Sequence, residues 1–144
     1  MTMKYPHKDV IMEPTPNAAY IYDKEEKNLD EVRLHQEAVK RLMNVIACEI
    51  RCRATYHDYT KLKHYRLTFS EHMRMERHHL NMSQGIPDDV NVIDLVEFVC
   101  DCVSAAAQRD GALKFSYLQV SPEVLMPIIN NTAADLWKLV KVKK

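Results

Sequence analysis

Only two of the 144 residues are glycine. The usual share is about 7%, so this chain has almost no residue that enters a hairpin turn without strain. Sheets closed by tight turns are disfavoured, and helices joined by short connections are the expected outcome. The 47% hydrophobic content over 144 positions is enough for one core and leaves no room for a second large domain. Twenty basic and twenty acidic side chains cancel, which removes the positive field that sequence-independent nucleic-acid binders need. Strong nucleic-acid binding is not expected. Apolar runs fall well short of the roughly 20 residues that span a bilayer, and residues 1–9 lack an apolar signal core. A cytoplasmic protein with no membrane partner is the expectation, and the four cysteines are then read as thiols.

Residues 1–28, with Pro6, Pro14 and Pro16 and no sustained period, predict an extended N-terminal arm. Residues 29–144 predict a single all-α domain, a compact helical bundle. Val32, Val39, Leu42, Met43, Ile46 and Ile50 recur at three- and four-residue steps, the mark of an amphipathic helix, with Asn28 or Asp30 as its cap. Thr68 and Glu71 have capping-box spacing, predicting a second helix through Leu80 to the stop at Gly85 and Pro87. Asp88, Asp89 or Asn91 should cap a third helix, the most apolar one, which ends at Asp110-Gly111. Phe115 to Leu118 reads as a short extended piece. Ser121-Pro122-Glu123 then starts a last helix through Trp137 and Val140.

Seven histidines are present, and their placement says more than their number. His57 and Asp58 are adjacent, with Lys61 three positions on; His78 and His79 are adjacent, with Glu76 just before. Asp94, Glu97 and Asp101 lie three, four and seven apart on the most apolar helix, so all three carboxylates share one face. Burying them costs free energy unless a cation compensates, and a metal or a basic cluster is the physical expectation. Asp94 and Glu97 are expected either to orient ligands, a duty Glu76 is also placed to share, or to pair with Arg or Lys across a helix interface. Adjacent residues on a helix point about 100° apart, so His78 and His79 should not both face one site comfortably. His64 and His72 read as surface residues.

His35, then His57-Asp58, then Asp101 resembles the H…HD…D signature of the HD-domain superfamily of metal-dependent phosphohydrolases. His57-Asp58-Tyr59-Thr60-Lys61 is also similar to the HD-x-[ST]-K motif of a family of small bacterial and phage proteins, a resemblance that covers roughly half the chain. It implies a helical bundle of HD-domain type with a divalent metal, manganese, iron or zinc, held by His35, His57, Asp58, His78, His79 and Asp101. It further implies hydrolysis of a phosphate ester, by family analogy a nucleotide, with Asp58 and Lys61 in the catalytic machinery. Lys61, Arg74 and Arg77 would bind the phosphate. The alternative it leaves open is a non-catalytic, phage-derived binder of a nucleotide or a host protein. One departure is geometric. If the 22 positions from His35 to His57 form one straight helix, the two rings stand about 33 Å apart at 1.5 Å per residue. Then the helix breaks, or His35 is not a ligand, or a second copy in a homodimer supplies it.

Overall fold

The computed structural model describes residues 5–18, 26–63, 66, 68–82 and 85–144. It is mostly helical. In chain order it comprises β1 (Val10–Met12), α1 (Glu26–Thr55), α2 (Tyr59–Lys63), α3 (Phe69–Met75), α4 (Val92–Arg109), a 3-10 turn (Phe115–Leu118), α5 (Pro122–Leu139) and β2 (Val140–Val142). None of the described helices is long and apolar enough to cross a membrane.

Local chemistry sets the helix boundaries. Thr68 and Glu71 form the expected capping box of α3, and Asn91 with Asp94 forms a second one at α4. Both boxes satisfy backbone donors that the first helical turn leaves orphaned. Gly111 takes a left-handed φ of 66° and donates its N–H to the Ala106 carbonyl, closing α4. Structure and expectation differ at several points. α1 already begins at Glu26, so Asn28 and Asp30 lie inside its first turns. α3 stops at Met75, because Glu76 is extended at its C-cap. Phe115–Leu118 is a 3-10 turn, not an extended piece.

The core is formed by Phe98 of α4, Ile128 of α5, and Leu80 and Val90 from the segment between α3 and α4. α1 also packs against α4, and that contact includes ion pairs: the Arg53 guanidinium donates to Asp94 at 2.7 Å and to Glu97 at 2.8 Å. Within the N-terminal segment Val10–Met12 forms a strand, and that strand is tied down. β1 pairs in parallel with β2, Val10 opposite Val140 and Met12 opposite Val142, a two-stranded sheet that the all-α expectation did not include. The last helix therefore ends one residue early, at Leu139, and Val140 begins β2. His7, in the arm, meets Glu49 of α1 at 2.6 Å, with both side chains nearly buried. The four cysteines are free.

Candidate metal centre

Between the end of α1 and the start of α2 the chain turns sharply. Asp58 has φ of 52°, the one positive-φ residue other than glycine among those described. Aspartate tolerates this region better than most residues. The turn lets His57 and Asp58, consecutive in sequence, aim at one point. Opposite them stands Asp101 of α4, with His57 Nε2 3.4 Å from Asp58 Oδ2 and 3.4 Å from Asp101 Oδ1. His78 joins from the loop after α3, its Nε2 3.4 Å from Asp101 Oδ2 and 3.7 Å from Asp58 Oδ1.

A second group adjoins the first. His72 of α3 places Nε2 3.3 Å from Asp58 Oδ1 and 3.3 Å from Nε2 of His79. Three triads thus bring ligand atoms within 4.8 Å of one another: His57, Asp58 and His78; Asp58, His72 and His79; and His78, His79 and Asp101. Both of the paired histidines belong to the cluster. The expected 100° divergence does not apply because α3 has ended before them. His72, expected on the surface, is 4% exposed. No local spacing marks it, because α3 ends at Met75 and helical periodicity does not run on from His72 to His79.

Hydrogen bonds behind the rings decide which nitrogens face the centre. His57 Nδ1 is 3.0 Å from Glu97 Oε1, an acceptor, so Nδ1 carries the proton and Nε2 presents its lone pair inward. Thr60 Oγ1 donates to Glu76 Oε1 at 2.6 Å. With that hydroxyl hydrogen committed, Thr60 accepts from His72 Nδ1 at 3.4 Å, and His72 Nε2 likewise faces inward as a lone pair. Glu97 directly, and Glu76 through Thr60, thereby fix the two rings from behind. Asp94 does something else: it is fully buried, accepts from Arg53 and Arg77, and closes the α4 cap, a structural pairing.

Acceptors crowd the middle. Among the described residues the only ammonium or guanidinium paired with its carboxylates is Lys61, with Nζ 2.8 Å from Asp58 Oδ2. Asp58 Oδ1 and both nitrogens of His78 are buried without a hydrogen bond; His78 Nδ1 approaches Glu97 to 3.2 Å but is poorly aligned. Such orphans are costly unless a cation or proton fills the gap. Ligand atoms about 2.1 Å from a tetrahedral ion stand about 3.4 Å from each other, close to the 3.4–3.7 Å that separates the His57 and His78 Nε2 atoms from the nearest oxygens of Asp58 and Asp101. The donor set, imidazole with carboxylate, suits zinc, manganese or iron, and the residues fit a divalent ion.

Ionisation follows from the same contacts. Burial, with His78 and His72 as neighbours, pushes His79 down to about 4, so it is neutral at pH 7. Burial lowers His72 as well. Burial also works against charge on His78, but Asp101 and Glu97 outweigh it and raise its pKa. Burial would push the Asp58 carboxyl up, yet the Lys61 hydrogen bond and the His57 and His72 rings hold it below the ordinary value. Asp101 is held down chiefly by His78.

Not every expected residue is here. α1 is unbroken from Glu26 to Thr55, so His35 lies about 30 Å from its end along the axis. It is exposed and lines a separate hollow with Gln36, Val39, Lys40, Met43 and Asn44. Within one protomer it does not join the cluster. Arg77 is committed to Asp94 and Asp89 at 2.7–3.0 Å, which removes it as a phosphate ligand. The Arg74 side chain and His64 lie outside the described residues.

Among the described residues, two hollows reach the cluster. One, of about 270 Å³, lies between α1 and α4, where Ile50, Ala54 and Val96 make it apolar beside His57 and Asp101. The other, of about 450 Å³, opens over His72, His79, Asp101 and Lys61 and continues along α4. No family model, curated protein or solved structure matches the chain.

Proposed function

We propose that the protein is a metal-dependent phosphohydrolase of HD-domain type that cleaves a phosphate ester, a nucleotide being the substrate class suggested by analogy with the family its motifs resemble. One observation carries this reading: inward-facing imidazole lone pairs and two carboxylates converge on a point whose nearest fixed cation is Lys61. His57, Asp58, His78 and Asp101 would hold the ion, with His72 and His79 available beside Asp58 for a second. A divalent ion there would supply Lewis acidity toward a phosphoryl oxygen and a water activated near neutral pH.

The chain's own groups do the rest. Lys61, half-exposed at the mouth of the larger hollow, offers its ammonium to a phosphate oxygen as a point charge. Asp58 is held ionised, and its carboxylate can take a proton from the attacking water and pass it to the departing alcohol oxygen, so that ester and water become alcohol and inorganic phosphate. Glu97 keeps His57 Nδ1 protonated and the ring fixed while this happens.

The test is metal content together with turnover. Purified protein should carry at least one equivalent of zinc, manganese or iron by mass spectrometry and release phosphate from a panel of nucleotides. His57→Ala and Asp101→Ala should lose both, at least a hundredfold in rate, with helical circular dichroism retained. Metal without turnover would favour a non-catalytic binder, and absence of metal under every loading condition would remove the site.

A further inference from the structure

We propose that two copies of the chain associate through the outward face of α5, the two helices running antiparallel across a twofold axis. A surface helix ordinarily turns charged side chains to water. α5 does not. From Leu125 to Trp137 its only charged residue is Asp135, and that residue is buried, seven positions on from Ile128 and on the same core-facing side.

The opposite side is apolar and open. Met126, Ile129, Ala133 and Trp137 follow one another at steps of three and four, so they line one face about 80° wide at about 100° per residue. All four are exposed, Met126 at 57%, Ile129 at 58% and Trp137 at 71%. Together they form a continuous strip about 16 Å long, the kind of patch that marks an interaction surface, unlike single scattered apolar residues.

Size and charge along the strip select a second copy as its occupant. Met126 and Trp137 stand equally far from the midpoint between Asn131 and Thr132, and Ile129 and Ala133 do so to within one residue. With the helices antiparallel, Trp137 meets the partner's Met126 and Ile129 meets the partner's Ala133, so large side chains fill the gaps that small ones leave. Glu123 lies in the first turn of α5 and Lys138 in the last, both on the same flank of the strip. The same twofold axis sets Glu123 of each protomer beside the partner's Lys138. A parallel pair would instead oppose like charges at both ends. A membrane surface would call for a basic border along the strip, and Glu123 on that border would be repelled by anionic headgroups. One helix face covers less than the roughly 800 Å² per partner of a standard interface, so the dimer should dissociate in the micromolar range.

Trp137 is the only tryptophan in the chain, so the interface carries its own reporter. Sedimentation of the full chain from low to high micromolar concentration should show a rise from one chain mass to two. Trp137 emission should move to shorter wavelength over the same range. Ile129→Lys should weaken association about tenfold or more, as loss of a central contact does, with helical circular dichroism unchanged because the side chain meets solvent in the protomer. Met43→Lys, on the exposed side of α1, should leave association as it was. Glu123→Lys and Lys138→Glu should each weaken it about twofold to fivefold, and the two combined in one chain should restore it. A monomer at every concentration would overturn the proposal, as would a dimer insensitive to Ile129→Lys or a double exchange that fails to restore association. A Trp137 emission shift that requires phosphatidylglycerol vesicles and is absent on concentration alone would assign the strip to a lipid surface instead.

Discussion

His78 is the most enclosed ionisable residue of the cluster, 0% exposed and facing three carboxylates. Its pKa is raised by Asp101 and Glu97 against the cost of burial, so a proton and a metal ion compete for Nε2. The sign follows directly. Below its raised pKa His78 is an imidazolium and must lose a proton to bind metal; above it no proton is displaced. Zinc affinity measured by competition with a chelator should therefore weaken by about tenfold per pH unit as the pH falls below that value. His79, neutral down to about 4, should add no dependence above pH 5. A second expectation concerns Glu97, whose Oε1 accepts from His57 Nδ1. Glu97→Ala should weaken metal binding about 10- to 100-fold, as loss of an orienting partner does, although no ligand is removed. A chelator titration giving wild-type affinity would show that Glu97 serves packing alone.

The elements that carry the site meet through charge as well as through apolar burial. Arg53 of α1 is shared by Asp94 and Glu97 of α4, and Asp94 also receives Arg77. Removing one member of a buried pair leaves an uncompensated charge, so Arg53→Ala should destabilise the fold by about 3 kcal/mol, read from urea unfolding. An effect below about 1 kcal/mol would mean that Arg77 alone compensates Asp94. The capping boxes at Thr68 and Asn91 were legible because cap and partner lie three residues apart and satisfy each other locally. The end of α3 was not. Arg77 turns away to Asp94 and Asp89, seventeen and twelve residues on, and that distant pull outweighs the propensity of residues 76–80 to continue the helix. The misplacement of His72 followed from the same cause.

At the scale of the whole molecule, the two ends of the chain are joined. β1 lies beside β2, Lys143 donates its N–H to the Met12 carbonyl at 2.9 Å and pairs through its side chain with Glu13, and Arg41 of α1 donates to the Ile11 carbonyl. Deleting residues 140–144 should raise amide exchange at Val10–Met12 at least tenfold while leaving α4, held by the Phe98 core, protected. Unchanged exchange in the arm would show that α1 alone retains it.

Scarcity of glycine, the periodicity of α1 and α4, the caps and the neighbouring pair His57-Asp58 are properties of short stretches, and the sequence by itself determined them. It also placed Asp101 on one helical face with Glu97 and Asp94, because that follows from 3.6 residues per turn. Only the tertiary structure decided that His72 faces inward, that Asp94 serves arginines alone while Glu97 is shared between Arg53 and His57, and that His35 stands apart. Each of those outcomes depends on which side chain from a distant element arrives within about 3 Å, a choice made by packing and desolvation rather than by any local pattern.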